Sequence, residues 1–450
     1  MAEGAGCCHR IGWWWLRIGE SQTRFRGNMA IQAASTDRSG FRLHCFAVLT
    51  TIVMLPLIFV GGLVTSHGAA LAVPDWPTSY GYNMFLFPWH KMVGGIFYEH
   101  SHRLIASLVG FMTIILTVWL YIKESRQWVR QLGLIALALV IFQGVLGGLR
   151  VLLLKQYIAI FHACLAQSFF CLLAAIALFT SRWWKERERV QSQQNEVQDK
   201  KVTIGGRPLH SPPCQGGVGG GVALRRWTLW TTALIFIQLI LGATMRHTDS
   251  GLAVPDFPLI YDGVLPPLDS VTLEQINQQR IWQWNLEPVG FLQIAIHLMH
   301  RIWALAVAFG VLRTFWIVWR RYRDRRALKI PVMLLAALLA VQISLGIFVV
   351  WSGKEADVTT AHVAVGALTL VVSFLLTLVA FKIASKKHLV HKSGRLLGSQ
   401  SASKTVCSFE QARFEPHCFL RCCSAPHHHF QCKYVWPAPG GSPSVRVPFA

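Results

Sequence analysis

The amino-acid sequence predicts an all-α, polytopic membrane protein whose eight transmembrane helices form two tandem four-helix bundles in parallel orientation. Three observations predict this fold: long uncharged apolar runs, basic residues in alternate connections, and an internal repeat. Of the 450 residues, 53% are apolar and only 14% are charged, which lies outside the usual balance of a soluble globular protein.

Eight apolar runs are free of charged residues, and nearly all are long enough to cross about 30 Å of hydrocarbon as a helix. The sixth run is shorter, but it extends at both ends through Phe291–Trp319. In chain order the runs are Cys45–Val64, Leu104–Ile122, Leu132–Leu149, Tyr157–Thr180, Trp227–Met245, Ile302–Leu312, Ile330–Trp351 and Val358–Phe381.

The basic residues are distributed as in a membrane protein, in alternate connections between helices, and not as in a nucleic-acid-binding protein. The formal charge is +22, yet Lys and Arg collect after the second, fourth, sixth and eighth runs, and the loop after the fifth run is acidic. The positive-inside bias therefore places both termini on the cytoplasmic side, or on the matrix side of a mitochondrion. The sequence predicts a lipid bilayer as the environment and no nucleic-acid partner.

An internal repeat relates the two halves of the chain. Leu71–Pro77 recurs as Leu252–Pro258 at an offset of 181, whereas His102-Arg103 recurs as His300-Arg301 at an offset of 198. The difference predicts an insertion of about 17 residues in the second outer loop. Since each unit has four helices, the two units have the same orientation, which disfavours the inverted repeats of many transporters.

The repeat divides the chain into five segments. These are an N-terminal extension (1–44), a first four-helix half (45–180), a flexible cytoplasmic linker (181–226), a second four-helix half (227–385) and a Cys/His-rich tail (386–450). The tail has no regular zinc spacing, which favours disorder or an erroneous gene end over metal binding. No cysteine falls in an outer loop, so no structural disulfide is expected.

Four histidines occupy repeated positions near the outer ends of the predicted helices: His102, His162, His300 and His362. Polar side chains inside a membrane are costly and mark functional sites. Imidazoles on facing helices of a four-helix bundle are typical axial ligands of heme iron. The sequence therefore predicts two heme sites, one in each half. Arg103 and Arg301, each next to a ligand, are expected to meet heme propionates, with interfacial snorkelling as the alternative.

The halves differ at one position beside these ligands. Glu99 lies three residues before His102, on the same helix face, and the offset of 198 places His297 at the matching position of the second half. A carboxylate in a low-dielectric site is costly unless chemistry requires it. The first half is therefore predicted to catalyse the reaction, and the second to hold a permanent redox cofactor. His100 is expected on another face, at the membrane interface.

These residues resemble the heme A synthase family over roughly residues 45–385. The resemblance rests on Glu99–Arg103, His162, His297–Arg301, His362 and the segment Arg246–Pro258. It implies oxidation of the ring methyl of heme O to a formyl group by successive hydroxylations, giving heme A for terminal cytochrome oxidases. Segments 66–99 and 246–291 contain no cysteine, so the chain resembles the cysteine-free type of the family.

The resemblance also implies residue roles and partners. It makes Glu99, His102 and His162 the catalytic site around substrate heme O, and His300 and His362 the ligands of heme b. The oxygen would come from molecular oxygen or water, with an external electron carrier. Heme O synthase and oxidase assembly factors are the expected partners, and homo-oligomerisation stays open. Short connections favour a bacterial inner membrane over a mitochondrial one.

Two other functions are compatible with paired histidines. A diheme b-type cytochrome would pass electrons between carriers, although transmembrane relays usually stack their hemes toward opposite faces, whereas these pairs lie at one depth. A non-catalytic heme carrier would need the ligands but not Glu99.

Overall fold

A computed structural model describes residues 40–203, 218–261, 263, 266–267 and 269–384. Residues 1–39, residues 204–217 of the predicted linker and residues 385–450, which include the Cys/His-rich tail, lie outside these ranges. The α-helices of the described part, in chain order, are α1 Gly40–Ser66, α2 Gly95–Lys123, α3 Gln127–Leu153, α4 Gln156–Thr180, α5 Arg182–Thr203, α6 Val218–His247, α7 Ser270–Trp284, α8 Phe291–Arg321, α9 Arg326–Trp351 and α10 Ala356–Ala384.

Eight of these helices are long and apolar enough to cross a membrane, namely all except α5 and α7. The prediction of an all-α protein with eight transmembrane helices is therefore confirmed for the described residues. The helices also extend beyond the uncharged runs. Polar residues at the helix ends keep the backbone hydrogen-bonded while their side chains reach the interface.

Helices α4 and α10 lie at the centre of the assembly. In their most apolar windows 61% and 67% of the residues are buried, against 17–33% in the other six membrane helices. Helix α4 packs against α3 in its own half and against α6 and α10 of the second half. Helix α10 packs against α6 and α9. The two central helices thus contribute a large part of the contact between the halves, and the other six expose apolar faces suited to lipid.

Hydroxyl groups join the membrane helices where apolar packing alone would leave them free to slide. Thr231 of α6 contacts the hydroxyl of Thr314 in α8 at 2.9 Å and donates to the carbonyl of Gly310. Thr232 contacts Ser373 of α10 at 2.8 Å. Such bonds between transmembrane helices contribute about 0.6 kcal/mol each. Here they fix the register of α6 against both neighbours.

The first part of the predicted flexible linker is helical. Residues 182–203 form α5, because this stretch is rich in Glu, Gln, Arg and Lys and contains no Gly or Pro. Trp184 is buried, and its ring packs against Phe179 of α4 at 4.7 Å between centroids, which attaches the start of α5 to the bundle. Its Nε1 donates to Glu188 of the same helix at 2.9 Å. The expectation of flexibility followed the glycines of the segment and overlooked the helix-forming residues before them.

An ion-pair network lies where α5 meets the bundle. Glu124 is buried, and Arg126 donates to both of its carboxylate oxygens, at 2.8 and 2.9 Å. Arg126 also donates to Glu188 at 2.7 Å, while Lys185 lies 3.3 Å from Glu124. Burial alone would raise the pKa of Glu124, but the bonds and charges of Arg126 and Lys185 outweigh it and lower the pKa to about 2. We call this end of the bundle the linker end.

The repeated motifs fold into two similar loops at the opposite end. Each loop contains an isolated β-bridge, Ser79 with Tyr82 and Ile260 with Gly263. In each, a tyrosine hydroxyl donates to a carbonyl eight residues earlier, Tyr80 to Ala72 and Tyr261 to Ala253. The second loop also contains α7, which accounts for the insertion of about 17 residues predicted there. Residues 67–94 and 248–290 define this end, called the histidine end below.

Candidate functional site

Each of the four predicted histidine ligands packs against a glycine of a neighbouring membrane helix. A Cβ atom placed on that glycine would lie within 3.5 Å of Cε1 of the imidazole ring. The pairs are Gly61 with His102 (2.8 Å), Gly147 with His162 (3.5 Å), Gly242 with His300 (3.2 Å) and Gly346 with His362 (3.2 Å). A side chain at Gly61 would overlap the ring, one at Gly242 or Gly346 would press on it, and one at Gly147 would lie in ordinary contact with it. The helices therefore leave a fitted place for each imidazole.

The ring atom Nδ1 of each of these histidines is buried and has no hydrogen-bond partner within the described residues: His102, His162, His300 and His362. A buried imidazole nitrogen without a partner is unfavourable unless a ligand satisfies the ring. In each half the two rings are also close enough to interact electrostatically, His102 with His162 and His300 with His362. The residues therefore suit a group bound between two imidazoles.

Glutamine amides support three of the four histidines. Gln143 donates to the carbonyl of His162 at 3.1 Å, and Gln342 donates to that of His362 at 3.0 Å. Gln238 donates to the carbonyl of His300 at 3.0 Å, and its amide nitrogen lies 3.1 Å from ring atom Nε2. Second-shell bonds of this kind orient metal-binding imidazoles. Gln143 and Gln342 follow from the repeat, but the role of Gln238 needed the structure.

Glu99 is buried and fixed by two hydrogen bonds. Its exposed fraction is 4%, and its carboxylate accepts from the backbone N–H of Val73 and from Arg103, at 2.9 and 2.8 Å. Arg103 also donates to the carbonyls of Val73, Asp75 and Thr78, at 2.8–3.0 Å. One guanidinium therefore holds both the carboxylate and the repeated loop. A role of Arg103 toward a propionate stays a prediction.

The turn within this loop is formed by Asp75. Its carboxylate accepts from the backbone N–H of Tyr80 at 2.7 Å and of Gly81 at 3.0 Å, and also from the hydroxyl of Thr78 at 2.5 Å. Burial alone would raise its pKa, but these bonds outweigh it and lower the pKa to about 2. The side chain is thus ionised at neutral pH and holds the turn closed.

The second half contains the same clamp but not the carboxylate. Arg301 donates to the carbonyls of Val254 and Asp256, at 2.9 and 2.7 Å. His297, at the position that matches Glu99, is buried, and its Nδ1 lies 3.0 Å from the carbonyl of Ser250. The difference between the halves is therefore local. Both loops are held by an arginine, and among the described residues this helix position carries an acid only in the first half.

The expectation that His100 lies at the membrane interface was wrong. His100 has an exposed fraction of 1%, with Nδ1 at 3.1 Å from the hydroxyl of Ser79 and the ring against Phe87, at 4.8 Å between centroids. The loop 67–94 covers this face of α2, which no helical periodicity could indicate. His100 thus secures the loop to α2, one residue from Glu99.

Two arginines near the histidines were missed by the sequence analysis. Arg246 donates to the carbonyl of Gly62 at 2.5 Å and to Ser66 at 2.6 Å, so it links α6 to α1 across the two halves. Arg150 contacts the hydroxyl of Thr65 at 3.4 Å, and its charge acts on His102, His162 and Arg246. Both side chains are partly buried, and neither is within ion-pair distance of a described carboxylate. The sequence feature that could have identified each of them is a single arginine near the end of an apolar helix.

Among the described residues, no cluster of three or more His, Cys, Asp or Glu side chains could hold a bare metal ion. The cysteines of this part, Cys45, Cys164 and Cys171, are free. A porphyrin iron needs only two protein ligands, because the macrocycle supplies the other four. The paired histidines therefore suit heme and not a protein-coordinated zinc or copper site.

Comparisons with known proteins identify a family and several relatives. The family model COX15-CtaA, described as cytochrome oxidase assembly protein, matches residues 44–374. The chain is 27% identical to the heme A synthase of Halalkalibacterium halodurans over 345 residues, which cover 75% of this chain and 95% of that protein. It is 24% identical to the heme A synthase of Lysinibacillus sphaericus and 26% identical to that of Alkalihalophilus pseudofirmus, covering 94% and 91% of those proteins.

Proposed function

Because this chain belongs to the COX15-CtaA family of cytochrome oxidase assembly proteins, we propose that it is a heme A synthase, a membrane oxidoreductase of heme A biosynthesis. Its reaction converts the ring methyl of heme O to a formyl group by successive hydroxylations. The observation that carries this proposal is the buried Glu99 beside one of two matched histidine pairs. The alternatives, a diheme cytochrome and a heme carrier, give no reason for an acid in only one half.

In this proposal the first half binds the substrate. His102 and His162 hold the iron of heme O, and the glycines beside them leave room for both rings. Glu99 acts near the methyl group, either by stabilising positive charge that develops at the carbon or by accepting a proton. Its bonds to Arg103 and to the backbone N–H of Val73 keep the carboxylate in place while the substrate is exchanged.

The second half binds the resident cofactor. His300 and His362 are the ligands of heme b, which supplies electron transfer when it is bound. Gln238 and Gln342 keep the two imidazoles oriented, and Arg301 keeps the loop over them closed. Arg150 and Arg246 would receive propionate groups, because partly buried guanidinium groups without a carboxylate favour an anion. An external electron carrier exchanges electrons with this half, and the inserted oxygen comes from molecular oxygen or water.

The proposed location and partners follow from the proposed activity. The protein is placed in a bacterial inner membrane, or in the mitochondrial inner membrane, with both termini on the cytoplasmic or matrix side. Heme O synthase is the proposed source of substrate, and oxidase assembly factors are the proposed recipients of the product. The basic residues at the linker end support this orientation through the positive-inside bias.

The test is expression with a heme O synthase in cells that lack their own heme A synthase, followed by chromatography of the extracted hemes. The wild-type chain should produce heme A, and Glu99→Gln should accumulate heme O while it retains heme b. His297→Gln is the matched control, since it removes an ionisable group at the corresponding position of the other half. Heme A from Glu99→Gln at the wild-type level would refute the role of Glu99. Two b-type hemes and no heme A from the wild type would favour the cytochrome.

A further inference from the structure

A basic groove lies at the linker end, away from the histidines. The start of α5, the connection between α8 and α9 and the last turn of α10 enclose a volume of about 410 Å³. Three cations line it, each from a different element: Arg187, Arg325 and Lys382. Trp183 and Val190 add apolar surface, and Glu186 is exposed at the rim. Nothing in the proposed reaction uses these residues.

The positive charge of the groove is only partly neutralised within the described residues. Arg187 and Arg325 have no carboxylate at ion-pair distance, and they are near enough to repel each other. Burial and the charge of Arg325 together lower the pKa of Arg187. Lys382 lies 3.6 Å from Glu188, but that carboxylate also accepts from Arg126 at 2.7 Å. An anion between the two guanidinium groups would relieve this repulsion.

The groove lies at the level of lipid headgroups. Arg187 lies in the first part of α5, which begins two residues after α4 ends at Thr180. Arg325 directly precedes the start of α9 at Arg326, and Lys382 belongs to the last turn of α10. The guanidinium of Arg187 stacks on the ring of Trp183, at 4.6 Å from the centroid. Tryptophan is enriched where the apolar core meets the headgroups, and basic pockets between membrane helices bind acidic headgroups.

We propose that this groove binds the phosphate headgroup of an anionic phospholipid. The guanidinium groups of Arg187 and Arg325 take the phosphate oxygens, Lys382 adds a third charge, and Trp183 with Val190 contacts the glycerol and upper acyl carbons. A lipid is favoured over a soluble anion because the site opens at the membrane surface and combines apolar with basic side chains. The bound lipid would hold α5 against the α8–α9 connection and α10.

The test uses the full-length protein, purified in mild detergent and returned to nanodiscs of phosphatidylcholine with or without phosphatidylglycerol. Native mass spectrometry measures retained lipid, and a thermal melt measures stabilisation by each lipid. The variant is Arg187→Gln with Arg325→Gln. The control is Arg320→Gln, which removes an exposed arginine of the same end that stacks on Trp316 outside the groove. Bound heme reports that the variants are folded.

We expect the wild type and the control to retain phosphatidylglycerol, and the double variant to retain it about 30-fold less, which corresponds to about 1 kcal/mol for each guanidinium. Equal retention by the double variant would overturn the proposal. So would equal stabilisation by phosphatidylcholine, or saturation of the site by inorganic phosphate at millimolar concentration, since the groove would then lack lipid selectivity.

Discussion

Replacing Gly61 by alanine places a methyl group 2.8 Å from Cε1 of His102, whereas ordinary contacts at such an atom begin at about 3.4 Å. The ring or helix α1 must therefore move by about 0.6 Å. A free imidazole can turn aside, but an imidazole that must reach an iron atom cannot. Displacements of about 1 Å in a catalytic geometry cost on the order of 100-fold in rate. Gly61→Ala should thus lower heme A formation roughly tenfold.

Gly147→Ala is the matched control, because its methyl would lie 3.5 Å from Cε1 of His162, an ordinary contact distance. Both changes are from glycine to alanine in a helix, which favours helix formation by up to about 1 kcal/mol, so neither should unfold the chain. The assay measures the ratio of heme A to heme O in extracts, with heme b as the internal standard. Equal ratios in both variants would refute the claim that the position of the His102 ring limits the reaction.

Three other predictions follow from contacts of single residues. Arg103→Lys removes the guanidinium that holds Glu99 and three loop carbonyls, so the yield of heme A should fall about tenfold while heme b is retained. Arg301→Lys should instead lower the content of heme b first. Chromatography of the extracted hemes measures both outcomes. Arg246→Gln should stabilise heme-free protein in a thermal melt, because it removes a partly buried charge that has no described carboxylate at ion-pair distance, and it should weaken heme retention during purification. A change of the same sign in both measurements would contradict this prediction. Since the folded pKa of Glu124 is about 2 against an ordinary 4.5, its contribution of up to about 3 kcal/mol is present above pH 4.5 and is lost as the pH falls toward 2. Melting temperatures of Glu124→Gln should be lower at pH 7 and flatter across this window than those of the wild type.

The membrane fold was predictable because each transmembrane helix can be recognised from the length and composition of its apolar run. An uncharged run of about 20 residues has few alternatives to a transmembrane helix, and the run between Ile330 and Trp351 became α9 with only a short extension. The repeat then placed the four histidines at matching helix positions. Helix α5 was not predicted in this way, because it is polar on most faces. It is attached to the bundle through Trp184 and an ion-pair network rather than through an apolar stripe.

The partners of the site residues were less accessible, because they lie in loops whose paths the sequence does not give. Adjacency of Arg103 to His102 suggested a shared heme, yet the guanidinium points to backbone carbonyls 25–30 residues earlier in the chain. Only the folded loop brings those carbonyls together with Glu99. His100 was misplaced for the same reason, since its cover comes from Ser79 and Phe87 of that loop.

The support of the histidines gives a physical reason for two unequal heme sites. In the second half, amides of Gln238 and Gln342 lie 3.1 and 3.3 Å from ring nitrogens of His300 and His362, so both imidazoles are held in one orientation. In the first half the position that corresponds to Gln238, by the offset of 181, is Leu57, whose side chain has no amide, and the His102 ring is hydrogen-bonded to the backbone of Leu57 instead. A resident cofactor is bound more tightly when both ligands are preorganised. A substrate that must leave after each turnover is better served by a ligand that no side-chain amide holds. The amide pattern therefore favours the same division between the halves as the single acid at Glu99, and it does so through residues that take no part in the chemistry.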